Sequence, residues 1–151
     1  MSELEQKILR NPPTETFFEK KFRSLGFEQL TDIQKNALPI IYQKKDSLII
    51  APTGSGKTEC AVIPIFSQIK KIKKPGKIKV LYVTPLRALN RDVFRRIIKY
   101  AELDNLTIQI RHGDTSQSVR KKISKSPPDI LITTHERIVI LLTQQKMLTA
   151  L

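Results

Sequence analysis

The chain has 151 residues, of which 40% are hydrophobic and 27% charged. This is an ordinary mix for a folded domain and argues against disorder along the whole chain. No apolar run approaches the roughly 20 residues that a membrane-spanning helix needs. The first ten residues lack the basic start and apolar stretch of a secretory signal. We therefore expect a cytoplasmic protein without a membrane segment.

The charge of the chain is strongly positive. The net charge is +13, from 27 Lys and Arg against 14 Asp and Glu. Such an excess attracts polyanions, of which nucleic acid is the commonest. A lysine-rich surface can also serve solubility, so charge alone leaves both interpretations open.

Two helices are predicted before the first strand. Residues 14–25 carry phenylalanines at helical spacing, and Thr31 with Asp32 is a start signal for a helix that runs to about residue 43. The Pro12-Pro13 pair marks a break between a lead segment, residues 1–13, and a domain that we expect to occupy residues 14–151.

Short apolar runs alternate with helical patterns along the rest of the chain. Four runs predict strands at residues 47–50, 79–84, 107–111 and 129–133, and the spacing between them predicts helices at residues 57–72, 86–101 and 116–123. Two of the runs are nearly continuous, as expected for a parallel sheet covered on both faces. The alternation predicts an α/β fold, a three-layer parallel sheet with right-handed crossovers.

The strongest chemical signal is a phosphate-binding loop between the first strand and its helix. It consists of Ala51, Pro52, Thr53, Gly54, Ser55, Gly56, Lys57 and Thr58. The pattern is G-x-x-x-x-G-K-[ST] with alanine at the first glycine. Gly54 and Gly56 let the backbone curl so that N–H groups point at phosphate oxygens. Lys57 would reach the terminal phosphates and Thr58 would ligate Mg²⁺, so both are candidate catalytic residues for ATP hydrolysis.

Segments on either side of this loop resemble the motifs of superfamily 2 helicases. Gln34 lies upstream at the spacing of the glutamine motif, whose side-chain amide reads adenine in that superfamily. The stretch Pro85, Leu86, Arg87, Ala88, Leu89, Asn90 is similar to motif Ia. Two later segments also resemble these helicases. One is His112-Gly113-Asp114-Thr115, which matches a Gly-Asp-Thr segment of Lhr-like proteins. The other is Thr133-Thr134-His135-Glu136-Arg137, which is similar to motif Ib with His135 in place of the usual proline.

The combination is similar to DEAD/DEAH-box-type helicases, and above all to their large-helicase-related (Lhr) group. The resemblance implies the N-terminal part of a first RecA-like domain that binds ATP, Mg²⁺ and DNA or RNA, single-stranded or duplex, and works with a second RecA-like domain. It also implies that the contacts to the nucleic-acid strand come from the following residues: Pro85, Leu86, Arg87, Asn90, Gly113, Asp114, Thr134, Glu136 and Arg137.

The resemblance also implies an Asp-Glu box shortly beyond Leu151, and no Asp-Glu pair occurs in the 151 residues. That box would hold Mg²⁺ and position the attacking water. We therefore expect the parent protein to hydrolyse ATP and these 151 residues alone to bind it weakly. Two alternatives remain at this point: another phosphate-loop enzyme such as a nucleotide kinase or an AAA-type ATPase, and a nonenzymatic module that binds nucleic acid.

Overall fold

The computed structural model describes residues 15–72, 75–85, 91–144 and 149–150, so the predicted lead segment lies outside the described residues. Within these ranges the elements are α1 (Glu15–Ser24), α2 (Asp32–Tyr42), α3 (Lys57–Ile69), β1 (Val80–Val83), α4 (Arg91–Leu103), β2 (Ile108–Arg111), α5 (Gln117–Lys125), β3 (Ile130–Thr133) and α6 (His135–Leu142). Over the same ranges, every helix is too short or too polar to cross a membrane. The chain divides into two compact units, Met1–Gln68 and Ile69–Leu151.

Aromatic side chains hold the first unit together. Phe18 and Phe22 are buried on one face of α1 because helical spacing puts them on the same side. The Phe18 ring meets the ring of Tyr42, at the end of α2, edge to face with centroids 5.7 Å apart. The Gln68 side chain, in α3, donates a hydrogen bond to the Tyr42 carbonyl oxygen at 2.8 Å. These contacts pin the ends of α2 and α3 to each other and to α1.

The predicted first strand, residues 47–50, is wrong. The segment forms no strand in the structure, and its side chains Leu48 and Ile50 are 86% and 82% exposed. A strand exists only through backbone hydrogen bonds to a neighbouring strand. The three described strands pair only with one another. The apolar sequence of residues 47–50 therefore has no partner among the described residues that would make it a strand.

The second unit is built on a parallel sheet in the order β1-β3-β2. Thr133, the last residue of β3, pairs with Val83 of β1 and with Arg111 of β2, so all three strands end at one level. Ile130, Leu131 and Ile132 of β3 are fully buried. Because successive side chains of a strand point to opposite faces, both faces of the sheet are covered at this strand.

The α/β fold and the other three strands are confirmed, each strand shortened by one residue or by one at each end. The helix predicted at residues 57–72 ends at Ile69, and the one predicted at residues 116–123 runs from Gln117 to Lys125. The first five residues of the helix predicted at 86–101 lie outside the described residues, and its described part, α4, runs from Arg91 to Leu103. The predicted helices therefore exist, with ends that differ by a few residues.

Asp129 ties together the amino-terminal ends of the three strands. Its carboxylate accepts hydrogen bonds from the Thr107 backbone N–H and hydroxyl, both at 2.8 Å, and pairs with the Lys79 ammonium at 2.7 Å. Burial alone would raise the pKa of Asp129, but the hydrogen bonds from Lys79 and Thr107 and the Lys79 charge outweigh it and hold that pKa below its ordinary value. The ionised carboxylate is thus part of the sheet's architecture.

A matched pair of isoleucine truncations tests where the core lies. Ile132→Ala should lower the free energy of unfolding by about 2–5 kcal/mol because it opens a cavity in a fully buried strand. Ile50→Ala should change it by less than about 0.5 kcal/mol because that side chain already faces solvent. Urea unfolding followed by circular dichroism measures both. Equal losses in the two variants would show that residues 47–50 are a buried strand after all.

The pH dependence of stability tests the role of Asp129. Its pKa is lower in the folded than in the unfolded chain, so its contribution is complete above the unfolded value of about 4 and is lost as the pH falls through the folded value. Asp129→Asn should therefore cost about 1–3 kcal/mol at neutral pH. The difference in unfolding free energy between variant and wild type should begin to narrow at about pH 4 and vanish as the pH falls through the folded pKa. Asp114→Asn, on an exposed carboxylate, is the control. A gap that persists unchanged in acid would contradict this role.

Candidate nucleotide and nucleic-acid sites

The backbone of residues 51–58 is curled, as the two glycines predict. Gly54 and Gly56 have φ angles of 77° and 86°, in the left-handed region that favours glycine. Helix α3 begins at Lys57, and its first backbone hydrogen bond runs from Cys60 N to Gly56 O at 2.9 Å. The N–H groups before Cys60 lie in the first turn, where a helix offers no acceptor of its own. Such a turn suits an anion.

Lys57 closes this loop on itself. Its ammonium lies 2.5 Å from the carbonyl oxygens of both Ala51 and Pro52, where it donates hydrogen bonds. The Ser55 hydroxyl is buried and has no hydrogen-bond partner among the described residues. Thr53 is exposed and Thr58 is half-buried in the first turn of α3. A cation, an unpartnered hydroxyl and a turn of N–H groups in one loop are donors that fit a polyphosphate.

Gln34 lies against the loop and is almost fully buried. Its Oε1 accepts a hydrogen bond from Thr31 N at 3.0 Å, which caps the start of α2, and its Nε2 donates to Gly56 O at 3.3 Å. The Thr31 hydroxyl donates to Ser55 O at 3.0 Å. Two side chains from the start of α2 therefore hold the loop. The adenine-reading role of Gln34 stays a prediction, and Thr31, recognised in the sequence only as a helix start, is a contact that the sequence did not reveal.

The described residues among those predicted to bind a nucleic-acid strand follow the carboxyl ends of the β-strands in the second unit. Pro85 is exposed after β1, whereas Leu86, Arg87 and Asn90 lie outside the described residues. Parallel strands end at one edge of a sheet, and the loop after β2 accordingly meets α6, which follows β3. A Cβ placed on Gly113 would lie 3.5 Å from Nη2 of Arg137.

Hydrogen bonds fix the loop that contains Gly113 and Asp114. The His112 N–H donates to the Thr115 hydroxyl at 2.8 Å, and the Asp114 N–H donates to His112 Nδ1 at 3.2 Å. Arg120, in α5, donates from Nη2 to the Gly113 carbonyl oxygen at 2.7 Å. We did not anticipate this role for Arg120 from the sequence, since seven residues separate it from Gly113.

Helix α6 begins at His135, inside the segment that resembles motif Ib. Thr134 is buried and occupies the N-cap position without a side-chain hydrogen bond to the helix backbone, and His135, in the proline position, is the first helical residue. The His135 Nε2 lies 2.9 Å from a Glu136 carboxylate oxygen. The hydrogen bond from the Thr134 hydroxyl is the main cause of the lowered pKa of Glu136. The start of α6 thus forms without the proline ring.

A family model and individual relatives both match this chain to helicases. The family described as DEAD/DEAH box helicase matches residues 31–151. The chain is 34% identical over 156 residues to the ATP-dependent helicase Lhr-Core of Methanocaldococcus jannaschii. That alignment covers 93% of this chain but only 18% of the relative, so the chain spans less than a fifth of that protein's length.

Solved structures agree with this family. The structure of Mycobacterium smegmatis helicase Lhr bound to ssDNA and AMP-PNP superposes with a TM-score of 0.66 at 35% identity, covering 84% of this chain and 18% of that one. A hypothetical ATP-dependent RNA helicase from Sulfolobus tokodaii superposes with a TM-score of 0.67 at 28% identity, covering 85% and 36%. Both similarities extend over most of the chain.

Substitution of the two loop glycines tests the contact with Gln34. Alanine at either position must adopt a left-handed backbone conformation, which costs roughly 1–2 kcal/mol. Only Gly56→Ala also places a Cβ 2.3 Å from Gln34 Nε2, whereas a Cβ on Gly54 meets nothing within 4 Å. Gly56→Ala should therefore lose about 1–2 kcal/mol more than Gly54→Ala in urea unfolding. Measured against Gln34→Ala alone, which itself loses the bonds to Thr31 and Gly56, the two glycine substitutions should cost the same. Equal losses for the two glycines with Gln34 in place would refute the contact.

Proposed function

This chain belongs to the DEAD/DEAH box helicase family, and from that premise we propose that it is the ATP- and nucleic-acid-binding portion of a helicase motor. The family implies the use of ATP. The observation that carries the proposal is the curled loop of residues 51–58, with its left-handed glycines and the Lys57 ammonium folded over the loop's first carbonyls. The similarity to a helicase bound to ssDNA and AMP-PNP supports it.

In this proposal, the phosphates of ATP replace the loop carbonyls as partners of the Lys57 ammonium. The ammonium would exchange the carbonyl oxygens of Ala51 and Pro52 for phosphate oxygens, which bind a cation more strongly because they are charged. The Ser55 hydroxyl and the N–H groups at the start of α3 would supply further donors. Thr58 would ligate Mg²⁺, which when bound neutralises charge on the phosphates.

In this proposal, Gln34 would contact adenine while it still holds the loop. A side-chain amide carries two N–H donors and an oxygen with two lone pairs. One donor and one lone pair hold Gly56 O and Thr31 N. The remaining donor and lone pair suffice for the adjacent acceptor and donor on the adenine edge. We propose that Gln34 reads adenine and reports the bound base to the loop through Gly56.

The carboxyl ends of the strands in the second unit would carry the nucleic acid. Here we propose contacts from the motif Ia residues Pro85, Leu86, Arg87 and Asn90, and from Gly113, Asp114, Thr134, Glu136 and Arg137. The net charge of +13 favours a polyanion at such a surface. A second RecA-like domain would complete the motor, and we place the protein in the cytoplasm, where ATP and nucleic acid are both available.

These 151 residues alone should bind ATP without sustained hydrolysis. They contain no Asp-Glu pair to hold Mg²⁺ and position the attacking water. The second candidate is a nonenzymatic nucleic-acid-binding role, which the net charge of +13 favours. The two candidates differ in one respect, since only the motor needs a nucleotide at residues 51–58.

Binding of AMP-PNP with Mg²⁺, measured by calorimetry, tests the site. Lys57→Ala should weaken binding by about thirtyfold or more because the charge-assisted bonds to phosphate are lost. Lys71→Gln, which removes one exposed positive charge from the second unit, should bind as wild type does. EDTA should weaken binding to wild type.

The result also separates the two candidates. Equal affinity of wild type and Lys57→Ala would overturn the motor proposal, and strand binding without any nucleotide binding would support the nonenzymatic role. Phosphate release from ATP should stay at background. Steady-state release that Lys57→Ala abolishes would contradict the expectation that these residues lack turnover.

A further inference from the structure

Three arginines converge on the loop after β2. Arg111 is the last residue of β2 and is only 6% exposed. Arg120 reaches from α5 to the Gly113 carbonyl oxygen at 2.7 Å. Arg137, in α6, brings its Nη2 to 3.5 Å from the point where a Gly113 Cβ would lie. We call these three residues the arginine cluster.

No carboxylate of the described part of the chain forms an ion pair with the arginine cluster. The nearest acidic residue in sequence, Asp114, is exposed and has its carboxylate 3.8 Å from His112 Nδ1. Arg111 bonds through Nη2 to the neutral Gln144 amide oxygen at 2.8 Å. Its Nη1 and the Nε of Arg120 are buried and make no hydrogen bond to any described residue. The cluster's charge is therefore not neutralised within the described structure.

This arrangement is unfavourable for the protein by itself. A buried cation without a partner carries a desolvation penalty. Burial lowers the pKa of Arg111, and the nearby positive charges of Arg120 and Arg137 lower it further, because both disfavour its charged form. An anion next to Gly113 would relieve both effects at once.

We propose that the arginine cluster binds one phosphodiester group of a nucleic-acid strand, with Arg120 and Arg137 contacting it beside Gly113. Arg111 is a positioning residue, because its buried Nη1 adds charge from inside the unit while its bond to Gln144 holds it in place. The planar guanidinium fork suits phosphate oxygens, and Gly113 has no side chain to keep a strand away. This inference rests on the proposed function and adds Arg111 and Arg120 to its nucleic-acid site.

The salt dependence of strand binding tests the cluster. The affinity for fluorescein-labelled (dT)₂₀ would be measured by anisotropy between low and moderate salt for wild type, Arg120→Gln, Arg137→Gln and Arg111→Gln. Arg120→Gln and Arg137→Gln should each bind about tenfold or more weakly, because a charge-assisted contact is lost. In these two variants the slope of log affinity against log salt should fall by about 0.7, the value for one single-strand phosphate contact. Arg111→Gln should weaken binding less, because it removes a buried charge but no contact with the strand.

The control is Lys71→Gln, which removes the same charge at the opposite edge of the sheet, where Lys71 lines a cavity with Lys79 and Asp129. It should keep the affinity and slope of wild type. Arg137→Lys should recover the slope, since the charge returns, and only part of the affinity, since the fork does not. Melting curves identify any variant that does not fold. Should Arg111→Gln fail to fold, Arg120→Gln and Arg137→Gln decide.

The outcomes separate this inference from the proposed function. Folded Arg120→Gln and Arg137→Gln proteins that bind (dT)₂₀ with the affinity and slope of wild type would overturn the cluster and leave strand binding intact. A wild type that binds no strand would overturn both. A wild type that binds a strand but no AMP-PNP would overturn the motor and leave the cluster standing.

Discussion

The pairing of β3 with a strand on each side is the constraint on which the second unit depends. Thr133 lies level with Val83 and Arg111, so three loops leave the sheet at one edge. Its hydroxyl donates to the Arg111 carbonyl oxygen at 2.8 Å and is fully buried. This bond fixes the end of β2, and with it the start of the loop that carries Gly113. The functional edge of this unit is therefore a consequence of backbone register.

The phosphate loop depends on a different constraint, the absence of a side chain at Gly56. The space that a Cβ would occupy is filled by the Gln34 amide, which at the same time caps α2. Helix capping, loop shape and the proposed reading of adenine thus share one side chain. A change at any of the three would affect the other two, which in our proposal would couple the nucleotide base to the loop that binds the phosphates.

The sequence predicted those features that short stretches of chain determine. Glycine at positions 54 and 56 permits a left-handed backbone whatever the rest of the fold does, so the curl of the loop could be predicted. The predictions of β1, β2 and β3 from their apolar runs were correct because each of these segments pairs with a neighbouring strand. Residues 47–50 have the same apolar character but no described partner, and pairing is a long-range property that a local pattern does not contain.

The arginine cluster shows the same limit from the functional side. Arg111, Arg120 and Arg137 lie on a strand and two helices, and only the parallel pairing of β2 with β3 brings them together. In the sequence they are three of 27 positive residues, and only Arg137 lies in a segment that resembles a known motif. The buried, unbonded nitrogens of Arg111 and Arg120 become visible only in the folded chain.

The two proposed anion sites therefore differ in what they are made of. Residues 51–58 present mostly backbone dipoles whose directions are fixed by left-handed glycines, with one cation, Lys57, that already has carbonyl partners. The arginine cluster presents full positive charges that have few hydrogen-bond partners among the described residues. Dipoles at a helix start act over short distances and select a ligand by shape, whereas concentrated charge acts over about a Debye length and depends on salt. A chain built in this way would hold a nucleotide by fit and a strand by charge, so a strand could shift along the second site while the nucleotide stays in one place at the first.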